Sequence, residues 1–191
     1  MKVIQQLATR YGICSENDWQ QWLDISVIKR FDKDQVLVYE GEVSKVCAFI
    51  LEGSFKNVTS ASNGEEKILK FSFETDFLAS CESYNRQVPS EFAIVAMEPS
   101  VVMVTGNDAL VELCYKNQRI TNLGFILTQQ LMQQHEEHLK ILSLASPMAR
   151  YDHVLRNQPG LLNSVSLTDL AKYLYISREA LSRARSQILN A

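Results

Sequence analysis

The hydrophobic period of this 191-residue chain turns from strand-like to helical near residue 106, and that change limits what the chain can fold into. From about Ile28 to Val104 the apolar residues come in short β-rich runs: Val36–Tyr39, Val46–Leu51, Phe55–Thr59, Lys67–Phe73, Phe92–Met97 and Val101–Thr105. Gly41, Gly53 and Asn63-Gly64 punctuate them, and Asn-Gly between two such runs signals a hairpin, because both residues tolerate positive φ. Many short strands at regular spacing predict an antiparallel sandwich or barrel. From Asn107 the spacing is helical. The expected fold is therefore α+β, with the strands segregated before the helices.

Helical spacing also precedes the strands, at Val3, Ile4, Leu7 and Ala8 and again at Trp19, Trp22 and Leu23. Ser15 followed by Asp18 predicts the start of the second of these helices. After the strands, a long helix is expected from Arg119 to Ala145, ~40 Å at about 1.5 Å per residue. Ile120, Leu127 and Ile141 lie on one heptad line of it, Leu131 and Ala145 on a second, and Phe125, Met132 and Leu139 on another face. Two apolar faces predict two packing partners, the helix's own β domain and a second subunit. Pro147 ends this helix; a shorter one follows from Met148 to Asn157, closed by Pro159-Gly160.

The last quarter, Ser166 to Ile188, has the layout of a helix-turn-helix. Ser166 with Asp169 resembles a capping box, and Leu167, Leu170, Ala171 and Leu174 provide a buried face. Ser177 is placed to cap the second helix, and Leu181, Ala184 and Ile188 face inward. That leaves Arg178, Glu179, Ser182, Arg183 and Ser186 outward, with Arg185 at the edge of that face, where arginine can grip guanine with two bonds and glutamate can accept from cytosine. Charge agrees: from Pro147 onward there are six basic and three acidic residues, a segment of +3 in a chain of −3. A basic tail on an acidic body predicts that only the tail meets phosphate.

ISREALSR resembles the recognition helix of the cyclic-AMP receptor protein/FNR family, with its S-R-E-x-x-x-R pattern. YEGE (Tyr39–Glu42), ILEGSFK (Ile50–Lys56) and NGEEKILKF (Asn63–Phe71) resemble that family's glycine turns and hairpin, in the same order. The resemblance implies a β-roll sensor over residues 1–106 of the cyclic-nucleotide-binding jelly-roll type, a helical dimerisation linker over 107–146 and a DNA-binding domain over 147–191. It implies a homodimer reading a near-palindromic operator in double-stranded DNA, with Ser177, Arg178, Glu179, Ser182, Arg183 and Ser186 as the DNA-facing set. RNA polymerase is a partner of the same implied kind, and a small-molecule effector would act by biasing the two recognition helices.

The cassette that holds a cyclic phosphate in the family departs here. In Glu74–Phe92, Asp76-Phe77 stands for the usual Glu-[Leu/Phe], and Pro89-Ser90 stands for Arg-Ser, as in a P-S branch of the family. Losing that arginine removes a bidentate phosphate partner. The family's threonine-serine pair aligns with His135-Glu136. The expectation is a sensor that does not respond to cyclic AMP, with an effector pocket drawn around Asp76, Phe77, Leu78, Arg86, Ser90 and His135. Cys14, Cys47, Cys81 and Cys114 have no C-x-x-C spacing and read as reduced, mostly buried thiols; no cofactor or metal is expected. No enzyme motif stands out, no apolar run reaches membrane-spanning length, and MKVIQQLATRYG has no signal-peptide core, so a cytoplasmic, non-enzymatic protein is expected. A second reading is a ligand-binding or protein-interaction module whose DNA-binding domain is vestigial. Its support is Tyr175 where the turn usually has glycine, and only about ten residues, Asn157 to Ser166, for any β-hairpin wing.

Overall fold

The computed structural model describes residues 2–61 and 64–189, and it divides into two compact units. The first comprises Met1–Thr59 and Phe71–Leu131; the second comprises Ser60–Lys70 and Met132–Ala191.

In the first unit, α1 (Lys2–Tyr11) and α2 (Glu16–Asp24) precede the strands. The Ser15 side chain accepts from the Asp18 amide and Asp18 reaches back to the Ser15 amide, so the anticipated start of α2 is a full capping box. The strands are β1 (Ser26–Phe31), β2 (Val36–Val38), β3 (Val46–Glu52), β4 (Phe55–Ser60), β5 (Glu66–Ser72), β6 (Phe77–Leu78), β7 (Ala93–Ala96) and β8 (Ser100–Gly106). They form two four-stranded sheets in the orders β1-β8-β3-β6 and β2-β7-β4-β5. Helix α3 (Cys81–Arg86) interrupts the run between β6 and β7. After β8 come α4 (Asn107–Lys116) and the long α5 (Gln118–Ser143). The α+β jelly roll followed by a long helix is therefore what the change of period announced.

Alternation explains the interior between the sheets. Ala48, Ile50, Phe55, Leu78, Ile94, Ala96, Val102 and Val104 point inward and are buried, forming one core. A second core lies on the outer face of the β1-β8-β3-β6 sheet. There Trp19 and Trp22 stack at 5.8 Å, each meeting the edge of Phe49 at 5.3 Å, with Leu7, Met103, Ile120 and Leu127 around them. Trp22 Nε1 donates to Thr105 Oγ1 at 2.8 Å, so the buried indole is satisfied. Ile120, Leu127 and Ile141, one of the heptad lines of α5, are all buried. Phe125, Met132 and Leu139 are exposed.

One turn admits only glycine. Gly53, between β3 and β4, has φ +89°, and a Cβ there would come 2.8 Å from Ser100 Cβ and 2.9 Å from the Pro99 carbonyl oxygen. Asn63, the other half of the anticipated Asn-Gly turn, lies outside the described residues; Gly64 has φ +80°.

The second unit contains the β4–β5 arm, the C-terminal part of α5, α6 (Pro147–Asn157), α7 (Pro159–Ser164), α8 (Leu167–Tyr173) and α9 (Arg178–Leu189). Three expectations need correction. Pro147 does not end the long helix: α5 stops at Ser143, and Pro147 is the first residue of α6, capped by Ser146. Pro159-Gly160 opens α7 rather than merely closing α6: proline is the first residue of α7, where its missing amide costs nothing. Leu167 is 39% exposed, because it begins α8 at a point where no neighbour covers it. Of the four cysteines, Cys14 and Cys47 are buried and Cys81 and Cys114 half-buried; all are free thiols.

Candidate nucleic-acid interface and sensor cassette

The α8–turn–α9 pair is built from the packing that the sequence suggests. Leu170, Ala171 and Leu174 are buried, as are Leu181 and Ala184 on α9, while Ile188 is half-buried. Ser166 Oγ accepts from the Asp169 amide at 3.0 Å and caps α8. Ser177 Oγ accepts from the Ala180 amide at 3.1 Å and starts α9 in the same way. Between the helices Tyr175 has φ +54°, the left-handed conformation that glycine adopts more readily. Its ring stands edge-on to His138 at 5.6 Å and lies under Lys67 Nζ at 5.4 Å, contacts that a glycine would lack.

Ser177, Arg178, Glu179, Ser182, Arg183 and Ser186 are all exposed, and Arg185 is half-buried. Arg178 Nη1 donates to Thr168 Oγ1 at 3.1 Å, which steadies its stem against the start of α8. The Glu179 carboxyl is held below its ordinary range by its own backbone amide at the helix start, then by the Ser177 side chain and by Arg183 and Arg178. This face therefore presents two guanidinium groups, one carboxylate and three hydroxyls, which matches the chemistry of major-groove base edges.

Behind the helix pair is a set of contacts that the sequence did not announce. Arg150, on α6, was counted among the tail's basic residues. Its guanidinium instead donates to three carbonyls: Leu142 at 2.9 Å in the last turn of α5, Leu144 at 3.0 Å just past it, and Leu174 at 2.9 Å at the end of α8. His138 is buried; its ring stacks on Tyr173 at 4.1 Å and its Nε2 lies 2.8 Å from the Tyr173 carbonyl. Burial lowers the His138 pKa, opposed by the Tyr173 hydrogen bond and assisted by His135. Within the second unit, α5 and the helix pair are thus fastened by aromatic stacking and by one arginine.

In the sensor cassette the side chains are engaged locally. Asp76 accepts from Arg10 Nη2 at 2.6 Å and from the Phe73 amide at 2.8 Å. Phe77 and Leu78 form β6, paired with Phe49 and Ala48. Arg86 pairs with Glu82 at 2.6 Å on an exposed turn of α3. Ser90 is 3% exposed, with its Oγ 2.9 Å from Ser80 Oγ and 2.6 Å from the Phe92 carbonyl. Its backbone joins the first glycine turn, accepting from Gly41 and donating to Glu42. His135 is exposed on α5 within the second unit. Among the described residues no hydrogen bond links Asp76, Arg86 and Ser90 to one another.

Residues 28–117 match the family described as cyclic nucleotide-binding domain. No curated protein sequence matches the chain. Among solved structures it is similar to FixK2 from Bradyrhizobium japonicum, at 18% identity and TM-score 0.71, covering 87% of this chain and 85% of that one. It is similar to the c-di-GMP-responsive global regulator CLP of Xanthomonas campestris, at 14% identity and TM-score 0.74, covering 92% of each chain. A CRP-family transcriptional regulator from Thermus thermophilus aligns at 18% identity and TM-score 0.66, over 85% and 84% of the two chains. No helix of the described residues is long and apolar enough to cross a membrane. Residues 28–117 are therefore similar to the cyclic nucleotide-binding domain family, and the chain shares the fold of these three regulators.

Proposed function

We propose that this chain is a homodimeric DNA-binding transcriptional regulator that reads a near-palindromic operator and does not take cyclic AMP as its effector. The observation that carries the reading is the exposed face of α9, where Arg178, Glu179 and Arg183 stand outward from a buried seat of Leu181 and Ala184. Two such helices would enter successive major grooves roughly 34 Å apart.

The dimer is supported by α5. Phe125, Met132 and Leu139 recur every seven residues and are 66%, 58% and 66% exposed, an apolar stripe that an isolated chain would leave in water. Residues 107–146 are then the dimerisation segment, 1–106 the sensor and 147–191 the DNA-binding part. A sensor deaf to cyclic AMP is supported by the cassette chemistry: Pro89 replaces the phosphate-gripping arginine, Ser90 spends its hydroxyl on Ser80 and Phe92, and Arg86 is paired to Glu82. An effector held by Asp76 would compete with the Arg10–Asp76 pair.

The test is selection from a random duplex library by purified protein without added nucleotide. A two-fold symmetric consensus with half-sites one helical turn apart is expected, and addition of cyclic AMP leaves the enrichment unchanged. Enrichment that appears only with cyclic AMP would overturn the sensor reading; enrichment in neither condition would overturn the reading of a regulator competent without a cyclic nucleotide.

A further inference from the structure

We propose that a cavity between α3, α4 and the N-terminal half of α5 binds a neutral, mainly apolar small molecule. The cavity measures about 510 Å³, within the roughly 300–1,000 Å³ of small-molecule sites. Its floor is Trp22, Ile120 and Leu127, each 2% exposed or less; Phe77 and Leu110 line it too. Among the described residues that line it none is charged, so an anionic cyclic nucleotide would find no partner there and would have to shed its hydration unaided.

Two details point to a ligand rather than to loose packing. The hydroxyls of Thr121 and Thr128 on the α5 wall are spent on the Cys114 and Gly124 carbonyls, at 2.8 and 2.9 Å. The Tyr84 hydroxyl is buried near the Cys47 and Cys114 thiols and has no hydrogen bond of normal geometry. Burial raises its pKa, so it stays protonated, and its oxygen is fully covered beside the Cys47 thiol, which leaves the cavity wall apolar. The second detail is Gly124, the seventh residue of a 26-residue helix and so at an interior position, where glycine is unfavourable. A Cβ there would meet nothing within 4 Å, so no close approach within the chain requires the glycine. Its missing side chain keeps the cavity wall open. This inference rests on the proposed regulator only for its consequence: α5 runs on to Ser143, so a ligand that shifts the cavity wall biases the DNA-binding part.

The test uses the full chain and N-phenyl-1-naphthylamine, a neutral probe that brightens in apolar sites. Saturable binding of one probe per chain is expected, displaced at least tenfold better by methyl decanoate than by decanoate and not by cyclic AMP. Gly124→Leu, whose Cβ meets nothing within 4 Å, is expected to weaken the probe tenfold or more while sedimentation shows the wild-type oligomer. Leu110→Trp fills the same space from α4 and is expected to do likewise. Absence of saturable binding, or unchanged probe affinity in both filled variants, overturns the proposal. A Gly124→Leu chain that dissociates yet binds the probe normally would show that the glycine serves the subunit contact instead. Normal probe binding with DNA selection that ignores the ligand would refute the coupling and leave the site standing.

Discussion

Arg150→Ala should loosen the DNA-binding unit without touching the β-roll. The wild-type guanidinium makes three hydrogen bonds of 2.9–3.0 Å to carbonyls that end α5 and α8. Hydrogen bonds to a charged group contribute about 1.5–3 kcal/mol each when buried. Arg150 is only half-buried, and the freed carbonyls regain water in part, so we expect a total of about 2–4 kcal/mol rather than the full sum. Both tryptophans, Trp19 and Trp22, lie in the first unit, so their fluorescence follows the β-roll, whereas circular dichroism also follows the helices of the second unit. Urea unfolding of Arg150→Ala should show an early loss of helix with the tryptophan transition in place. Arg150→Lys, a single point donor, should recover less than half of the loss. A change below about 0.5 kcal/mol in Arg150→Ala, within the range of ordinary surface substitutions, would refute the reasoning. Full recovery by lysine would show that charge matters and geometry does not.

Gly53→Ala combines a left-handed backbone with contacts closer than a real Cβ makes. Ser100 cannot turn away freely, since its Oγ accepts from the Ser54 amide and donates to the Glu98 carbonyl, so the loss should be about 2–5 kcal/mol in chemical unfolding. Asp18 is buried, which by itself would raise its pKa; hydrogen bonds from Asn117, Ser15 and Arg119 outweigh this and hold the carboxyl well below the ordinary range. Its folded pKa is depressed, so its stabilisation is complete above about pH 4 and is lost as pH falls below that; Asp18→Asn should flatten stability-versus-pH measured between neutral pH and pH 2. Replacing Phe125, Met132 and Leu139 together by glutamine should give monomers in sedimentation with the fold intact, because all three are exposed within the single chain.

The strands were legible where alternation and turn residues coincide, as in β3, β4 and β8. β1 was not: it is a sheet edge with Val27 and Ile28 60% and 47% exposed and Lys29-Arg30 beside them, so it carries no alternating pattern. β6, two residues long, has no period to read. The helix pair was legible because capping serines and inward leucines are local signals, and the left-handed Tyr175 could be anticipated from the turn alone. Arg150 was misleading, since composition assigns a charge to a surface and cannot tell that three carbonyls will claim it. The cassette's engagements were equally hidden: the Arg10–Asp76 pair joins residues 66 apart in sequence. Pro159 was ambiguous because the same missing amide that ends a helix is harmless at the start of the next.

Base reading by α9 is tested most directly by measuring Arg183→Ala binding to the selected operator and to duplexes changed at each half-site position, at one fixed salt concentration. The account predicts a loss of about 1–3 kcal/mol on the operator and relaxed preference at one base pair per half-site, with the remaining positions still discriminated. An equal weakening on every duplex, accompanied by a shallower salt dependence, would make Arg183 a phosphate contact and contradict the assignment.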